Sequence, residues 1–309
     1  MDQVEKSKVE TTNGVHANGQ TSKSNRLDVM KTYKLYIDGK FPRTESGRYY
    51  ILNDKSGHAK ANICQSSRKD FREAVVAARK AQSGWASKSA YNRSQILYRI
   101  AEMLEGRRSQ FVAELTQQGS SNADAEKEVS VAVDRLVYYA GWCDKYQQVF
   151  SAVNPVESSH FNFSLPEPMG VVSALTPENY GLVGLVSVIA PAIAGGNAVI
   201  VLAASEKPLC AVTFGEVINS SDVPGGVVNI LTGYRSELLQ HFANHMDVNA
   251  IVYCGDNKEE ISKVKEYSAL NVKRAVMYKD DNWMKEDAQN GYRIMDLQEI
   301  KTTWHPVGQ

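Results

Sequence analysis

Side chains able to do covalent or proton-transfer chemistry are thinly spread along these 309 residues. Four cysteines, Cys64, Cys143, Cys210 and Cys254, are the candidate nucleophiles, because the thiolate is a potent attacking group at neutral pH. Cys254 follows a short apolar run and precedes a helical stretch, a position in which a thiol can be activated. No histidine stands near it to take its proton, and His241 and His245 fall on a separate helix. The plainer reading of Cys254 is a packed strand-end side chain, since free cysteine is among the most buried residue types. The cysteines form no CxxC pair and have no histidine at ligand spacing, so neither a metal site nor a disulfide framework is expected. His160 and His305 read as surface or interface residues. The aromatic run Tyr138-Tyr139-Ala140-Gly141-Trp142 reads as packing, not as a cofactor box.

The elements that would have to position these groups follow from composition and periodicity. Hydrophobic residues make up 43% and charged residues 23%, an ordinary globular balance sufficient for one large domain or two small ones. Lys plus Arg and Asp plus Glu both total 35, which gives no pull toward nucleic acid or an anionic membrane. The first residues lack the apolar core of a signal peptide, and no run approaches the length of a membrane span, so a cytoplasmic location is expected.

Residues 1–32, rich in Lys, Ser, Thr, Asn and Gly, read as a disordered tail. Lys34–Ile37 alternates as a strand that turns at Asp38-Gly39 into a second short strand. Helices are predicted from about Lys69 to Gly84, over Ser94–Glu105 and Ser109–Gly119, and from about Ala125 to Phe150. Then the pattern changes. A strand over His160–Leu165 and a Pro-Glu-Pro turn lead to a run of short apolar strands (170–175, 198–202, 227–231, 250–253, 275–278) alternating with helices. That alternation specifies parallel βαβ units and a doubly wound α/β sheet. A polar connection, 279–291, leads to a last strand-like stretch, Ile294–Trp304.

Five stretches, taken in order, carry a family resemblance: Leu35-Tyr36-Ile37-Asp38-Gly39-Lys40, Ala77-Ala78-Arg79-Lys80-Ala81, Glu167-Pro168-Met169-Gly170-Val171-Val172, Ile189 to Asn197, and Val223 to Gly233. Together they resemble the aldehyde dehydrogenase superfamily over nearly all of residues 33–309, and Leu297 to Trp304 is similar to that family's C-terminal strand. The resemblance implies a Rossmann-like dinucleotide-binding domain over 33–291, interrupted by an oligomerisation hairpin at 158–172, with a C-terminal oligomerisation strand at 292–309. It also implies that the catalytic domain, with its cysteine, is deleted between Tyr278 and the closing strand. The chain is similar, too, to the non-catalytic second module of two-module aldehyde dehydrogenases.

Family site positions that remain have changed. The general base is replaced by Tyr278, followed by Lys279-Asp280-Asp281, and a phenol of pKa about 10 is a poor base for water. Asn179, in Pro177-Glu178-Asn179-Tyr180, matches an oxyanion-hole asparagine and is read as a vestigial turn residue. Of the ribose-holding pair only Glu206 remains, Ala203 standing for the lysine. Gly233 and Gly255 persist in the cofactor turns, but Asp256 stands where a pyrophosphate meets a helix N-terminus, and Glu260 replaces a glycine. NAD or NADP binding in the family manner is therefore disfavoured, and no catalytic or metal residue is assigned. Three readings follow. The first is a non-catalytic structural or regulatory subunit, partnered by a full-length aldehyde dehydrogenase or by itself. The second is a residual NAD(P)-binding or sensing module, and the third an aldehyde:NAD(P) oxidoreductase completed by a partner chain.

Overall fold

Four short apolar runs, Val171–Leu175, Ala198–Leu202, Val228–Leu231 and Ala250–Cys254, form the centre of the molecule because every residue in them is hidden from water. The computed structural model describes residues 30–54, 57–279 and 282–308; the predicted tail, apart from its last three residues, lies outside them. Chain order begins with β1 (Thr32–Tyr33), β2 (Tyr49–Asn53) and β3 (Ala59–Cys64), a small sheet ordered β1-β3-β2. Helices α1 (Arg68–Ala86), α2 (Ala90–Gly106), α3 (Arg108–Gln117), α4 (Asn122–Trp142) and α5 (Tyr146–Phe150) follow, then β4 (Ala152–Asn154) and β5 (His160–Pro168). The alternating part comprises β6 (Val171–Leu175), α6 (Val183–Ala194), β7 (Ala198–Leu202), α7 (Leu209–Asn219), β8 (Val228–Leu231), α8 (Arg235–Asn244), β9 (Ala250–Cys254), α9 (Lys258–Ala269) and β10 (Arg274–Tyr278). A 3-10 turn (Glu286–Ala288), the helical turn α10 (Tyr292–Met295) and β11 (Gln298–Pro306) close the described chain.

The central sheet is parallel and ordered β10-β9-β6-β7-β8. Its strand residues divide between two cores. Val172, Ala174, Val199 and Val201 face α2, α4, α6 and α7, while Val171, Leu175, Ile200 and Leu202 face α1, α8 and α9. Helices thus cover both faces, the doubly wound α/β arrangement expected of alternating apolar runs and helices. Helix starts are fixed locally. Ser67 and Asp70 form a reciprocal capping box on α1, and the Ser121 hydroxyl accepts from the Asp124 N–H of α4.

Several sequence expectations need correction. The Asp38-Gly39 turn exists, with positive φ at both residues (53° and 70°), as a two-residue hairpin turn requires. Its flanks are single bridges, because Tyr36 pairs with Ile230 instead of extending a hairpin. Strands β2 and β3 were not anticipated; β2 is a short run without polar alternation, Tyr49 to Asn53, and both strands lie half in water. The helix expected over 125–150 breaks after Trp142 and restarts at Tyr146.

The hairpin placed at 158–172 is shorter and differently paired. Only β5 joins the small sheet, between β4 and β11, whereas Val171 and Val172 already belong to the central sheet. Gly170, at φ 126°, carries the chain from one sheet to the other, and the Asn197 side chain accepts its N–H at 2.9 Å. The closing strand begins later than expected, since residues 292–295 are helical and β11 pairs with β5 from Gln298 to Pro306.

The stretch 279–291 is more than a polar connection. Trp283 is 1% exposed and belongs to the larger core with Ile294 and Leu297. Ile300, Trp304, Phe161 and Leu165 of the small sheet remain exposed.

Candidate functional site

In a doubly wound sheet, ligands gather at the carboxyl ends of the strands where the strand order reverses. Here that point lies between β6 and β9, since β7 continues on one side of β6 and β9 on the other. Arg235, the first residue of α8, reaches into it and is only 12% exposed at its side chain. Its guanidinium donates to the carbonyl of Thr176, just past β6, and to the carbonyl of Cys254, the last residue of β9, at 3.0 Å. It also pairs with Glu178 at 2.8 Å, lies 3.6 Å from Glu260, and sits 5.3 Å from the centre of the Tyr253 ring. One cation thus ties two strand ends and two carboxylates together across the crevice.

The carboxylates are held from behind. The second oxygen of Glu178 accepts from the Ser205 N–H at 2.8 Å and from its hydroxyl at 3.0 Å. Glu260 accepts from the Tyr253 hydroxyl at 2.8 Å. Burial, reinforced by that bond to Glu260, pushes the Tyr253 phenol above its ordinary range. At the start of α9, the N–H groups of Glu259 and Glu260 both donate to the Asn257 side chain, at 3.0 and 3.2 Å. Gly255, at φ 156°, is required here. A Cβ at this position would lie 2.9 Å from the Tyr253 hydroxyl oxygen and 3.3 Å from an Arg235 nitrogen.

The other residues singled out in the sequence are placed around this crevice or away from it. Gly233, at φ 148°, turns against the Ser66 backbone between β8 and α8. Glu206 is exposed just past β7. Asn179 is exposed in a turn after β6, where its carbonyl accepts from Lys207 at 2.7 Å, and it borders a polar cavity of about 470 Å³.

Tyr278, at the end of β10, donates its hydroxyl to Asp296 at 2.7 Å. Burial, then the Asp296 charge, holds that phenol well above its ordinary value, so it stays a proton donor at any physiological pH. All four cysteines are buried, and burial pushes the Cys143 thiol up to about 12. His245 sets its ring edge-on to Phe71 at 5.8 Å, and burial lowers its proton affinity. His160 and His305 are exposed on the small sheet. Among the described residues no cluster of His, Cys, Asp and Glu is arranged to hold a metal ion, and no helix is long and apolar enough to cross a membrane.

Sequence reasoning missed the trio of Glu178, Arg235 and Glu260. A signal existed in the charges themselves, two carboxylates and a single arginine that opens the helix between them in sequence. Only the sheet topology shows that the three meet.

Comparison with known proteins bears on this geometry. The model of the "Aldehyde dehydrogenase family" matches residues 41–278, ending at the last residue of β10. Retinal dehydrogenase 2 of Mus musculus is 29% identical over 276 residues, 86% of this chain and 52% of that protein. Cytosolic 10-formyltetrahydrofolate dehydrogenase of Xenopus tropicalis is 31% identical over 256 residues, 81% of this chain and 28% of that one. The chain thus spans about half the length, or less, of these relatives. An aldehyde dehydrogenase of Bacillus cereus superposes with a TM-score of 0.77 at 25% identity, covering 81% of this chain and 51% of that structure. PnpE of Pseudomonas sp. WBC-3 gives 0.76 at 26% identity, covering 81% and 50%. The sheet order, the strand-end turns and a match spanning most of the sequence agree: this chain belongs to the aldehyde dehydrogenase family.

Proposed function

We propose that the chain is a non-catalytic structural or regulatory subunit of an oligomer, a family member that acts by association and not by oxidising aldehydes. The observation that supports this most directly is the filled crevice. A pyrophosphate entering it would meet the carboxylates of Glu178 and Glu260, with Asp256 at the turn into α9. Each like-charge contact at 4 Å and a surface-like dielectric costs about 4 kcal/mol before screening. The first N–H groups of α9, the usual anion-binding donors of such a turn, are already bonded to Asn257. A dinucleotide does not fit this arrangement. The Tyr278 hydroxyl, committed to Asp296, supplies no general base.

A binding assay tests the reading. NAD and NADP at millimolar concentration leave the melting temperature unchanged, whereas a ligand at 100 times its dissociation constant would add about 2.7 kcal/mol of stability. A saturable shift would favour the second reading, a residual nucleotide-binding module, to which the exposed Glu206 and the retained Gly233 turn lend support. Aldehyde-dependent NADH formation by the pure chain would favour the third.

The association partner is a complete aldehyde dehydrogenase subunit, with a second copy of this chain as the alternative. The small sheet offers the means: β11 pairs with β5 along one edge only, and Ile300, Trp304 and Phe161 stand exposed on it, features that invite strand addition. Affinity capture of the tagged chain from its own cells, read by mass spectrometry, recovers a full-length aldehyde dehydrogenase. Recovery of nothing but monodisperse monomer would count against association.

A further inference from the structure

The segment between β10 and β11 lies beyond the family match, which ends at Tyr278, and it forms a cavity of its own. About 340 Å³ is enclosed by Asn282, Trp283, Lys285, Asp287, Ala288 and Arg293, at the small end of ligand-site volumes. The Arg293 guanidinium sits in the corner of two edge-to-face rings, 4.1 Å from the centre of Tyr278 and 4.6 Å from that of Trp283. Arg135 of α4 lies beside it, 1% exposed. Its two terminal nitrogens are engaged by neutral acceptors only, the Ser187 hydroxyl and the Lys285 carbonyl, the latter at 3.1 Å.

Among the described residues, four buried donors of this cluster have no acceptor: Arg135 Nε, Trp283 Nε1, and Arg293 Nε and Nη1. Buried polar groups are ordinarily satisfied, and buried charges ordinarily paired. Burial first, with the charge of Arg293 contributing, holds Arg135 below its ordinary proton affinity. The cavity is thus lined by the Arg293 guanidinium and the Trp283 indole with N–H donors in surplus, and the Arg135 charge lies behind it, bonded to the carbonyl of the lining residue Lys285. An acceptor-rich anion is the chemical complement of such a surplus.

We infer that this cavity is a binding site for a small oxyanion, a carboxylate or phosphate group, held by Trp283 and Arg293 with the Arg135 charge behind them. The site is separate from the strand-end crevice and does not depend on whether the chain is catalytic. Asp287 is the one carboxylate among the described residues of the lining, and its repulsion weakens the bound anion.

The test uses the full chain in a low-salt buffer of bulky sulfonate, titrated with sodium formate or with inorganic phosphate at matched ionic strength. The melting temperature rises and saturates with at least one of them, and the anion that saturates first identifies the class. Arg293→Met removes two of the donors and one charge while keeping an apolar stem of similar length. This variant shows no saturable rise, and without anion it melts no lower than the native chain, because an uncompensated buried charge has gone. Trp283→Phe keeps a ring and loses one donor, so it folds and binds about threefold to tenfold more weakly. Asp287→Asn binds more tightly. The inference is overturned if the native chain responds no differently to formate and phosphate than to added sulfonate, or if Arg293→Met keeps the same saturable response. It is equally overturned if Asp287→Asn is strongly destabilised without any response to anion, which would make Asp287 the internal counter-ion.

Discussion

Replacing Trp283 with alanine lowers the unfolding free energy by about 3–5 kcal/mol, the range for removing a large aromatic side chain from a packed core. Trp283 is 1% exposed. It packs with the larger core on one side and against the Arg293 guanidinium, 4.6 Å from its ring, on the other. Urea denaturation of the full chain measures the loss. Trp304→Ala is the control: that ring is 57% exposed on β11, and its removal changes stability by about 0.5 kcal/mol or less. A loss below about 1 kcal/mol at Trp283 would mean that the segment after β10 merely lies on the surface. In that case it would not be part of the larger core.

The second large effect is at the crevice. Arg235→Ala costs about 2–3 kcal/mol. Breaking a fully buried ion pair costs about 3–5, and solvent reaching Glu178 and Glu260, at 32% and 24% side-chain exposure, reduces it. Both carboxylates are left facing each other across the strand ends, and two strand-end carbonyls lose their donor. The triple variant Arg235→Met, Glu178→Gln, Glu260→Gln removes the charges together and recovers most of the loss, because coupled charges do not contribute additively. Denaturation curves for the single and triple variants decide it. If the single substitution costs no more than the triple, the guanidinium is not what joins the two halves of the sheet. Neither variant restores dinucleotide binding while Asn257 still caps α9.

The sequence made β6, β7, β8 and β9 legible because they are buried on both faces, so hydrophobicity alone marks them as continuous runs; β10, half-buried at the sheet edge, keeps enough apolar residues to be read as well. The resemblance also drew attention to Tyr278, Ala203, Asp256 and Glu260, whose residue types are poorly suited to the chemistry the resemblance would assign them. Two features stayed hidden for physical reasons. Trp283 is an apolar residue in a largely polar stretch, too short for a periodicity; it is buried by a core gathered from distant parts of the chain, with the Tyr278 ring and the Arg293 guanidinium against it. The clasp of Glu178, Arg235 and Glu260 spans 82 positions of chain between its first and last members. Charge compensation over that separation becomes readable only once the strand order is known. Strands β2 and β3 were missed because they alternate weakly and lie half in water, where the signal that marks core strands is absent.

The pairing of β5 with β11 has a consequence for synthesis on the ribosome. Ser164 meets Thr302 across 138 positions of sequence. At about 5–20 residues per second, β5 emerges roughly 7–30 s before the strand that completes its sheet. During that interval β4 shields only Asn162 to Ser164, leaving Phe161 and Leu165 on a bare edge. Stalled or prematurely released chains would therefore be the most adhesive form of the protein, and the exposed edge is the feature a nascent-chain chaperone would have to cover.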